Sequence, residues 1–448
     1  MKRKLIAMVL MAAMILTLAA CGSGNTEEAP AAAEKPEEAQ AVSQDTDEVV
    51  EIHLANWRTE EIEAFEEINA EFMKEYPNIH PVYDAIKNTE YDSKLSIDLT
   101  SGTAADIVYV RPFDRGYDLY KNGYLEALDR DKLPNMSNIS DLQASVYTED
   151  STSTLFGAPF MYINYAFLYN KTLFDELGIE EPETWDEFFA ACDTIKESGV
   201  TPLAFGIKDN WILSGSVSDG IFGNFVGGEE GRQKLISGEL LPTSPEMVAQ
   251  FETMNKFVDY MPENYEGVSY LDNVQMFAMG QAAIYPGGSF DVGFIESQGI
   301  DFEMGVFAPP VVNSGDTRWT SMNGGAGLGI NAASEHKEEA YTYINWLLGE
   351  KGQIMIGNGA PGLFPCASNV DASKMEDPII GEMMGFGGEN GGDYTISWCM
   401  KLNGGNPTAT ALADENISLM LQGTQTAEEA AQKIQDGVSS WYEPWQGK

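Results

Sequence analysis

Short apolar runs alternate with amphipathic stretches through the first part of the folded chain. Apolar residues recur at helical spacing from Ile62 to Tyr76, and Pro77 ends this predicted helix. In order, the pattern predicts a strand at 51–57, that helix, a strand at 79–85, a helix at 91–99 and a strand at 106–110. Because strands that alternate with helices are joined by right-handed crossovers, we expect a largely parallel sheet covered on both faces.

A long aromatic run separates this α/β unit from a second one. Residues 155–169 predict an extended segment that carries the chain from the first unit to the second. The alternation then resumes, with strands predicted at 203–205 and 282–285 and helices beginning at 184, 244 and 426. Thr184 with Glu187, and Thr426 with Glu429, have the spacing of capping boxes. Since about 400 residues exceed what one core usually holds, we predict two α/β lobes.

The amino-terminal segment combines a basic start, an apolar run and a cysteine. Lys2, Arg3 and Lys4 precede an apolar stretch at 5–18 that is short for a membrane span, and small residues then lead to Cys21. The last four of these residues, LAAC, resemble the lipobox of bacterial lipoproteins, in which the cysteine is lipid-modified and becomes the first residue after cleavage. The alternative is an ordinary secreted protein with a chance cysteine at the cleavage site.

This pattern predicts how the amino terminus is organised and where the protein is located. Residues 1–20 are predicted to be a signal peptide, and residues 21–48 the lipidated cysteine and a disordered acidic tether, because they have hardly an aliphatic residue to bury. The protein is expected outside the cytoplasm, anchored to the bacterial membrane by lipid on Cys21. No later segment has eighteen uninterrupted apolar residues, so no spanning helix is predicted.

Charge and motif content exclude several classes of function. Three of the 26 basic residues lie in the predicted signal peptide, so the mature chain has a formal charge of 23 − 70 = −47, and nucleic acid is not expected as a partner.

The histidines His53, His80 and His336 are far apart, with neither HExxH nor GxSxG spacing. We therefore expect no metal, no cofactor and no enzymatic activity. Cys366 and Cys399 could pair as a disulfide, but sequence alone does not pair them.

Seven sequence blocks resemble a known family when they are taken in order. They are EIHLANW at 51–57, SGTAAD at 101–106, FGAPF at 156–160, LYNKTLF at 168–174, ETWDEF at 183–188, GQAAI at 280–284 and GLGINAASEHKEEA at 327–340. This order is typical of extracellular solute-binding proteins of ABC importers, in the sugar-binding branch that is similar to maltose-binding protein. The resemblance covers nearly the whole mature chain.

The resemblance implies a periplasmic-binding-protein-like α/β fold with two lobes, joined by crossing hinge strands, and a ligand cleft between them. It implies an N-terminal lobe of residues 49–163 plus 309–349 and a C-terminal lobe of residues 164–308 plus 350–448. The expected partners are a small carbohydrate, the permease subunits of an ABC transporter and, through the lipid anchor, the membrane. A monomer that hinges closed around its ligand is expected.

Candidate ligand residues lie where the family places its loops, at strand ends that face the cleft. Sugars present C–H faces and hydroxyl rims, so their sites need aromatic rings and short planar polar groups. The candidates in the first lobe are Trp57, Arg58, Glu61, Arg111 and Asp114, and those of the second lobe and the crossing segments are Asp209, Trp211, Phe290, Asp291, Trp319, Asn323 and Trp398. Trp211, Trp319 and Trp398 could instead be core residues, and Asp291 could cap a helix.

Two alternatives to a sugar-binding transport protein stay open. The first is a binding protein for a polyamine or a glycerol-phosphate-type solute, and the acidic chain favours the cation. The second is a lipid-anchored carbohydrate-active enzyme, because pairs of carboxylates are easily assembled in so acidic a sequence. The sequence does not identify the sugar, its length, its linkage or its anomer.

Overall fold

The computed structural model describes residues 49–149, 152–360, 362–386, 391–394, 398 and 400–448. The predicted signal peptide, Cys21 and the tether lie outside this range, as does Cys399. Within it, the strands are β1 (Val50–Asn56), β2 (Ile79–Ala85), β3 (Ile107–Val110), β4 (Thr148–Glu149), β5 (Thr154–Leu155), β6 (Ala158–Asn170), β7 (Thr201–Leu203), β8 (Ala282–Gly288), β9 (Met304–Phe307), β10 (Arg318–Ile330), β11 (Phe364–Pro365) and β12 (Gly391–Tyr394).

The helices surround these strands. They are α1 (Ile62–Glu75), α2 (Asn88–Ser101), α3 (Asp114–Lys121), α4 (Asp141–Ser145), α5 (Lys171–Leu177), α6 (Trp185–Glu197), α7 (Asp219–Val226), α8 (Gly228–Ser237), α9 (Pro245–Lys256), α10 (Tyr270–Ala278), α11 (Val292–Ser297), α12 (Lys337–Leu347), α13 (Glu350–Gly359), α14 (Pro378–Met384), α15 (Met400–Asn403), α16 (Ala409–Leu421) and α17 (Ala427–Ser439). A single π-helical stretch, Leu213–Ser218, precedes α7 in the described chain.

The strands of both lobes join in one mixed sheet. Its order is β2-β1-β3-β10-β6-β8-β7, with β9, β11 and β12 pairing beside this path. Strand β1 is parallel to β2 and β3, and β7 is parallel to β8, as the alternation of strands and helices predicted. The long strands β6 and β10 instead run antiparallel to each other, β6 is antiparallel to β8, and β10 is antiparallel to β3 and parallel only to the short strand β12. These two crossing strands connect the lobes, so the sheet is parallel only toward its two ends.

Local signals set the ends of several helices. Both predicted capping boxes are present: the Thr184 and Thr426 side chains accept hydrogen bonds from the third helical residue, whose glutamate accepts in return. Gly102, with a φ of 74°, ends α2 in the left-handed conformation. Helix α1 is preceded by a 3-10 turn, Thr59–Glu61, whose start has no side-chain cap. No helix in the described part of the chain is both long enough and apolar enough to cross a membrane.

Separate hydrophobic cores underlie the two lobes. The first core holds Phe65 of α1 and Tyr109 of β3, and the second holds Phe188 and Cys192 of α6 together with residues of α16 and α17. Residues after position 349 contribute to the first core up to Val370, because α13 packs on α1. The sequence-based boundary instead assigned everything after Gly349 to the second lobe.

Candidate functional site

A cavity of about 260 Å³ lies between the lobes, at the carboxyl ends of β1 and β3 and beside the middle of β6 and β10. It is lined by Trp57, Arg58, Asn88, Arg111, Pro112, Phe113, Ile163, Tyr165, Trp211, Gly215, Phe290, Asn323, Gly324, Gly325, Ala326 and Leu363. Six of the twelve residues predicted to bind ligand are among them. The cavity therefore brings together residues from both lobes and from the two crossing strands.

A tryptophan and an arginine form the wall on the side of the first lobe. Strands β1 and β3 are adjacent and parallel, so the residues that follow them, Trp57 and Arg111, meet at the same sheet edge. The Arg111 guanidinium lies 3.9 Å from the centroid of the Trp57 ring, a cation–π geometry. Arg111 also donates from Nε to Asp92 at 3.2 Å and from Nη2 to the Asn88 oxygen at 2.5 Å. These contacts fix the guanidinium plane at the cavity wall.

Trp57 itself is nearly buried, because its ring makes edge contacts with Tyr91 and Tyr109, each at 5.2 Å between centroids. Burial lowers the pKa of Arg111, and Asp92 opposes part of that change. The side chain remains cationic at any physiological pH because arginine titrates far above it.

Arg58 and Glu61 form a buried ion pair beside this wall. The Arg58 Nε donates to Glu61, and the Tyr83 hydroxyl donates to the other oxygen of Glu61 at 3.1 Å. Burial lowers the pKa of Arg58, but the charges of Glu61 and Glu60 outweigh burial and raise it above its ordinary value. Arg58 lines the cavity, whereas Glu61 is not among the lining residues.

Aromatic side chains also form the wall on the side of the second lobe. Trp211 is 46% exposed and packs edge-on against Tyr270, with 5.1 Å between ring centroids. Phe290 meets Tyr165 edge-on at 6.4 Å. Trp211 lies two residues before the start of the π-helical stretch that contains Gly215, an irregularity often found at functional sites. An exposed tryptophan at a cavity wall offers a flat apolar face to a ligand.

Two aspartates hold Tyr270 behind this wall. The Asp209 carboxylate accepts from the Tyr270 backbone N–H at 2.8 Å, and Asp291 accepts from its hydroxyl at 2.5 Å. Asp291 also accepts from the Tyr285 hydroxyl at 2.8 Å and from the Gly288 N–H at 3.3 Å. Burial raises the pKa of Asp291 to about 6 although these bonds oppose the change. Neither aspartate lines the cavity.

The crossing strands form the floor. Strand β10 has a register shift between Gly324 and Ala326 against β6, so Gly325 is an extra residue at a β-bulge. Glycine there lets backbone amides approach a ligand closely. The neighbouring Asn323 amide is held by Asp219, to which it donates at 3.1 Å, and by the Ser321 hydroxyl. This strand therefore presents fixed polar groups at the floor of the cavity.

The remaining predicted residues lie outside the cavity lining. Asp114 begins α3, and burial raises its pKa to about 6, while a hydrogen bond with Asn403 opposes the rise. Trp319 packs against the second core beside Gly228, where an added Cβ would lie 2.1 Å from its ring. Trp398 is 2% exposed and belongs to the same core. For both tryptophans, packing accounts for the side chain.

Several lining residues were not predicted from the sequence. Tyr165 comes from a long apolar segment in which every residue could be core, and Leu363 comes from a stretch rich in glycine and proline that carries no periodic pattern. Asn88 and Phe113 lie at the starts of helices, where polar or turn residues are usual. One signal could have found Phe113: it lies between two predicted site residues in the loop after β3. Within the described residues, no group of three or more His, Cys, Asp or Glu side chains could hold a metal ion.

The cavity offers three kinds of interaction. Aromatic rings from both lobes can pack on apolar faces, the guanidinium groups can donate, and backbone groups at the bulge can donate or accept. Among the described residues that line it, none is acidic. Such a surface suits an uncharged ligand that has both apolar faces and many hydroxyl groups.

Comparisons with known proteins agree with this architecture. The multiple sugar-binding protein of Streptococcus mutans is 26% identical over 320 residues, which cover 68% of this chain and 72% of that protein. The diacetylchitobiose binding protein DasA of Streptomyces coelicolor is 23% identical over 461 residues, which cover 96% and 97%. The solved structure of the solute-binding protein RafE in complex with raffinose superposes with a TM-score of 0.66, at 22% identity, over 89% of this chain and 100% of that chain.

The family itself follows from a broader match. Residues 56–354, which are more than half of the chain, match the family model described as bacterial extracellular solute-binding protein. This stretch runs from the end of β1 into α13, so it includes most of the first lobe, both crossing strands and most residues that line the cavity. With its two α/β lobes and its cavity between them, the chain belongs to the bacterial extracellular solute-binding protein family.

Proposed function

We propose that this protein captures a carbohydrate outside the cytoplasm, in the form of an oligosaccharide, and delivers it to the permease of an ABC importer. The observation that carries the proposal is the cavity between the lobes, with aromatic rings on both walls and no acidic lining residue in the described chain. Sugar rings pack on such faces, and their hydroxyls pair with planar polar groups. Two relatives are named as binding proteins for multiple sugars and for diacetylchitobiose, and these names support the same ligand class.

Six predicted residues are proposed to contact the sugar directly: Trp57, Arg58, Arg111, Trp211, Phe290 and Asn323. They divide into aromatic rings, which can stack, and polar side chains. Both arginines already have acidic partners, so they have little net charge to offer an anion such as a glycerol phosphate. The same lining offers no carboxylate to pair with the ammonium groups of a polyamine. These contacts favour a neutral sugar over either charged solute.

A ligand screen tests this proposal. Unliganded protein should be melted with raffinose, maltotriose, diacetylchitobiose, spermidine and a glycerol phosphodiester in turn. A ligand present at a hundred times its dissociation constant stabilises the folded state by about 2.7 kcal/mol. We expect at least one oligosaccharide to raise the melting temperature, and stabilisation by spermidine or the phosphodiester alone would reject the sugar. The recovered sugar should be unchanged, because products in excess of protein would indicate an enzyme.

We also propose that lipid on Cys21 anchors the protein to the bacterial membrane. The support is the order of basic residues, apolar run and LAAC at the amino terminus. Lipidation needs the thiol, so Cys21→Ala should release the protein into the medium or leave its signal peptide uncleaved. A variant that remains membrane-bound and normally processed would contradict the anchor. Cys192→Ala, which changes a buried thiol of the second core, is the matched control.

A further inference from the structure

Phe113 has a positive φ, a backbone conformation that is found mainly at glycines in the described residues of this protein. Its φ is 59° and its ψ is −135°. Among the described residues, a positive φ occurs at thirteen glycines and at two other residues, Phe113 and Ser153. A side chain in this region crowds the backbone, so the conformation is strained unless the residue is glycine. A glycine at position 113 would form this turn without strain.

Hydrogen bonds and close packing hold the Phe113 turn in this conformation. The Phe113 N–H donates to the Val146 carbonyl at 2.9 Å, and its own carbonyl accepts from Tyr117 in the first turn of α3 at 2.9 Å. Gly116 allows α3 to pack closely against the segment that follows β3, because a Cβ at this position would lie 2.3 Å from the Arg111 carbonyl oxygen. The strain at Phe113 is therefore held by contacts on both sides of the turn and is not relieved by a small shift.

The ring of Phe113 lines the cavity, next to Arg111 and Pro112, and its inner side packs on the first core. Compared with a glycine at position 113, phenylalanine contributes its ring and strains the backbone. Residues in strained conformations cluster at ligand-binding sites, where the strain is part of the mechanism. Resting on the proposed function, we infer that Phe113 is a specificity-determining residue whose fixed ring forms a third aromatic wall for the sugar, at the expense of folding stability.

Four variants separate the ring from the strain. Phe113→Gly removes both, Phe113→Ala removes the ring and keeps the strain, and Phe113→Leu keeps apolar volume but no flat face. Ser153→Gly is the matched control, because it relieves the same kind of strain at an exposed turn outside the cavity. Each variant is melted without ligand and titrated by calorimetry with whichever of raffinose, maltotriose and diacetylchitobiose binds the wild type.

Melting reports on the strain, and affinity reports on the ring. Phe113→Gly should melt above Phe113→Ala, the reverse of the usual order for these residues, because glycine tolerates a positive φ. Affinity should fall about tenfold or more in Phe113→Ala, in Phe113→Gly and in Phe113→Leu, since none keeps the flat ring. Ser153→Gly should melt above the wild type and bind with unchanged affinity.

Each contrary result has a definite meaning. Wild-type affinity in Phe113→Ala or Phe113→Leu would overturn the inference and leave the proposed function intact. Phe113→Gly melting below Phe113→Ala would remove the strain argument and overturn it as well. If the wild type binds none of the three sugars, the proposed function is rejected, and the role of Phe113 in sugar binding is rejected with it.

Discussion

Asp291 is a fully buried carboxylate directly behind the cavity wall, and its replacement by asparagine is a test of the electrostatics of the site. It accepts hydrogen bonds from the Tyr270 and Tyr285 hydroxyls and from the Gly288 N–H. Burial raises its pKa from the ordinary 3.8 to about 6. The bonds therefore offset only part of the free energy that is needed to bury the charge. Asparagine has nearly the same shape and does not titrate.

The sign and size of the effect follow from linkage. A carboxyl group whose pKa is higher in the folded state stabilises the protein below the unfolded pKa of 3.8, and this contribution is lost as the pH rises through about 6. The interval between the two pKa values corresponds to about 3 kcal/mol in total. At pH 5 roughly 1.4 kcal/mol of it is present, and at pH 7.5 almost none is. Asp291→Asn should remove this contribution.

The assay compares the free energy of unfolding of unliganded wild type and variant at pH 5 and pH 7.5, from urea titrations. The stability gained on acidification should be about 1.4 kcal/mol smaller in Asp291→Asn than in the wild type. Other acids titrate equally in both proteins and cancel in this difference; among them are Asp114 and Asp414, the pKa of each of which burial raises to about 6. Asp301→Asn, at an exposed position, is the control and should match the wild type. Equal pH dependence in Asp291→Asn and wild type would refute the reasoning.

Three further outcomes are expected. Trp211→Ala should weaken sugar binding in calorimetry and hardly change unliganded melting, because the Trp211 side chain is 46% exposed. Trp185→Ala, in the second core, should instead lower the free energy of unfolding by about 3 to 5 kcal/mol. Burial lowers the pKa of His53, but Asp84 and Glu51 outweigh burial and raise it above 6.5, so His53→Gln should abolish a stability contribution that is lost as the pH rises through the folded pKa. Saturating sugar should reduce the radius of gyration in solution scattering, and an unchanged radius would contradict hinge closure.

The elements that the sequence predicted well are those specified by neighbours along the chain. Helix α1 follows from the spacing of Ile62 to Tyr76, and α6 and α17 begin at capping boxes that Thr184 and Thr426 form with residues three positions later. Strand β1 was displaced by one residue, because its pattern of apolar residues is short. Local chemistry decides where such elements begin and end, so one sequence is enough to find them.

Pairing between distant segments could not be predicted in the same way. The apolar pattern of β6 is equally compatible with a parallel or an antiparallel neighbour, and its antiparallel pairing with β10 joins residues more than 150 positions apart. Helix α13 likewise packs on α1 in the first core, although it follows a segment predicted to end that lobe. Such contacts depend on the completed sheet and leave no periodic signal in the sequence.

The site shows the same division. Trp57 and Arg111 could be predicted, because residues that follow adjacent parallel strands meet at one sheet edge. Trp319 and Trp398 were equally good candidates by residue type, but their rings pack in or against the second core, and only tertiary structure distinguishes a packed tryptophan from an exposed one. Phe113 was missed because residue type alone does not distinguish it from a core phenylalanine; its place between Arg111 and Asp114 was the available signal, and its positive φ leaves none in the sequence.

The charge of the cavity illustrates why overall composition is a poor guide to ligand charge. The chain has 70 acidic and 26 basic residues, a balance that would favour a cationic ligand. Yet acids close to the cavity have partners within the protein. Glu61 pairs with Arg58, Asp92 pairs with Arg111, and Asp291 accepts hydrogen bonds from two tyrosines. Each such acid fixes a donor or a ring at the wall and withdraws its own charge from it. An acidic protein can thus present a nearly neutral, donor-rich surface, and the partners of individual carboxylates decide what that surface binds.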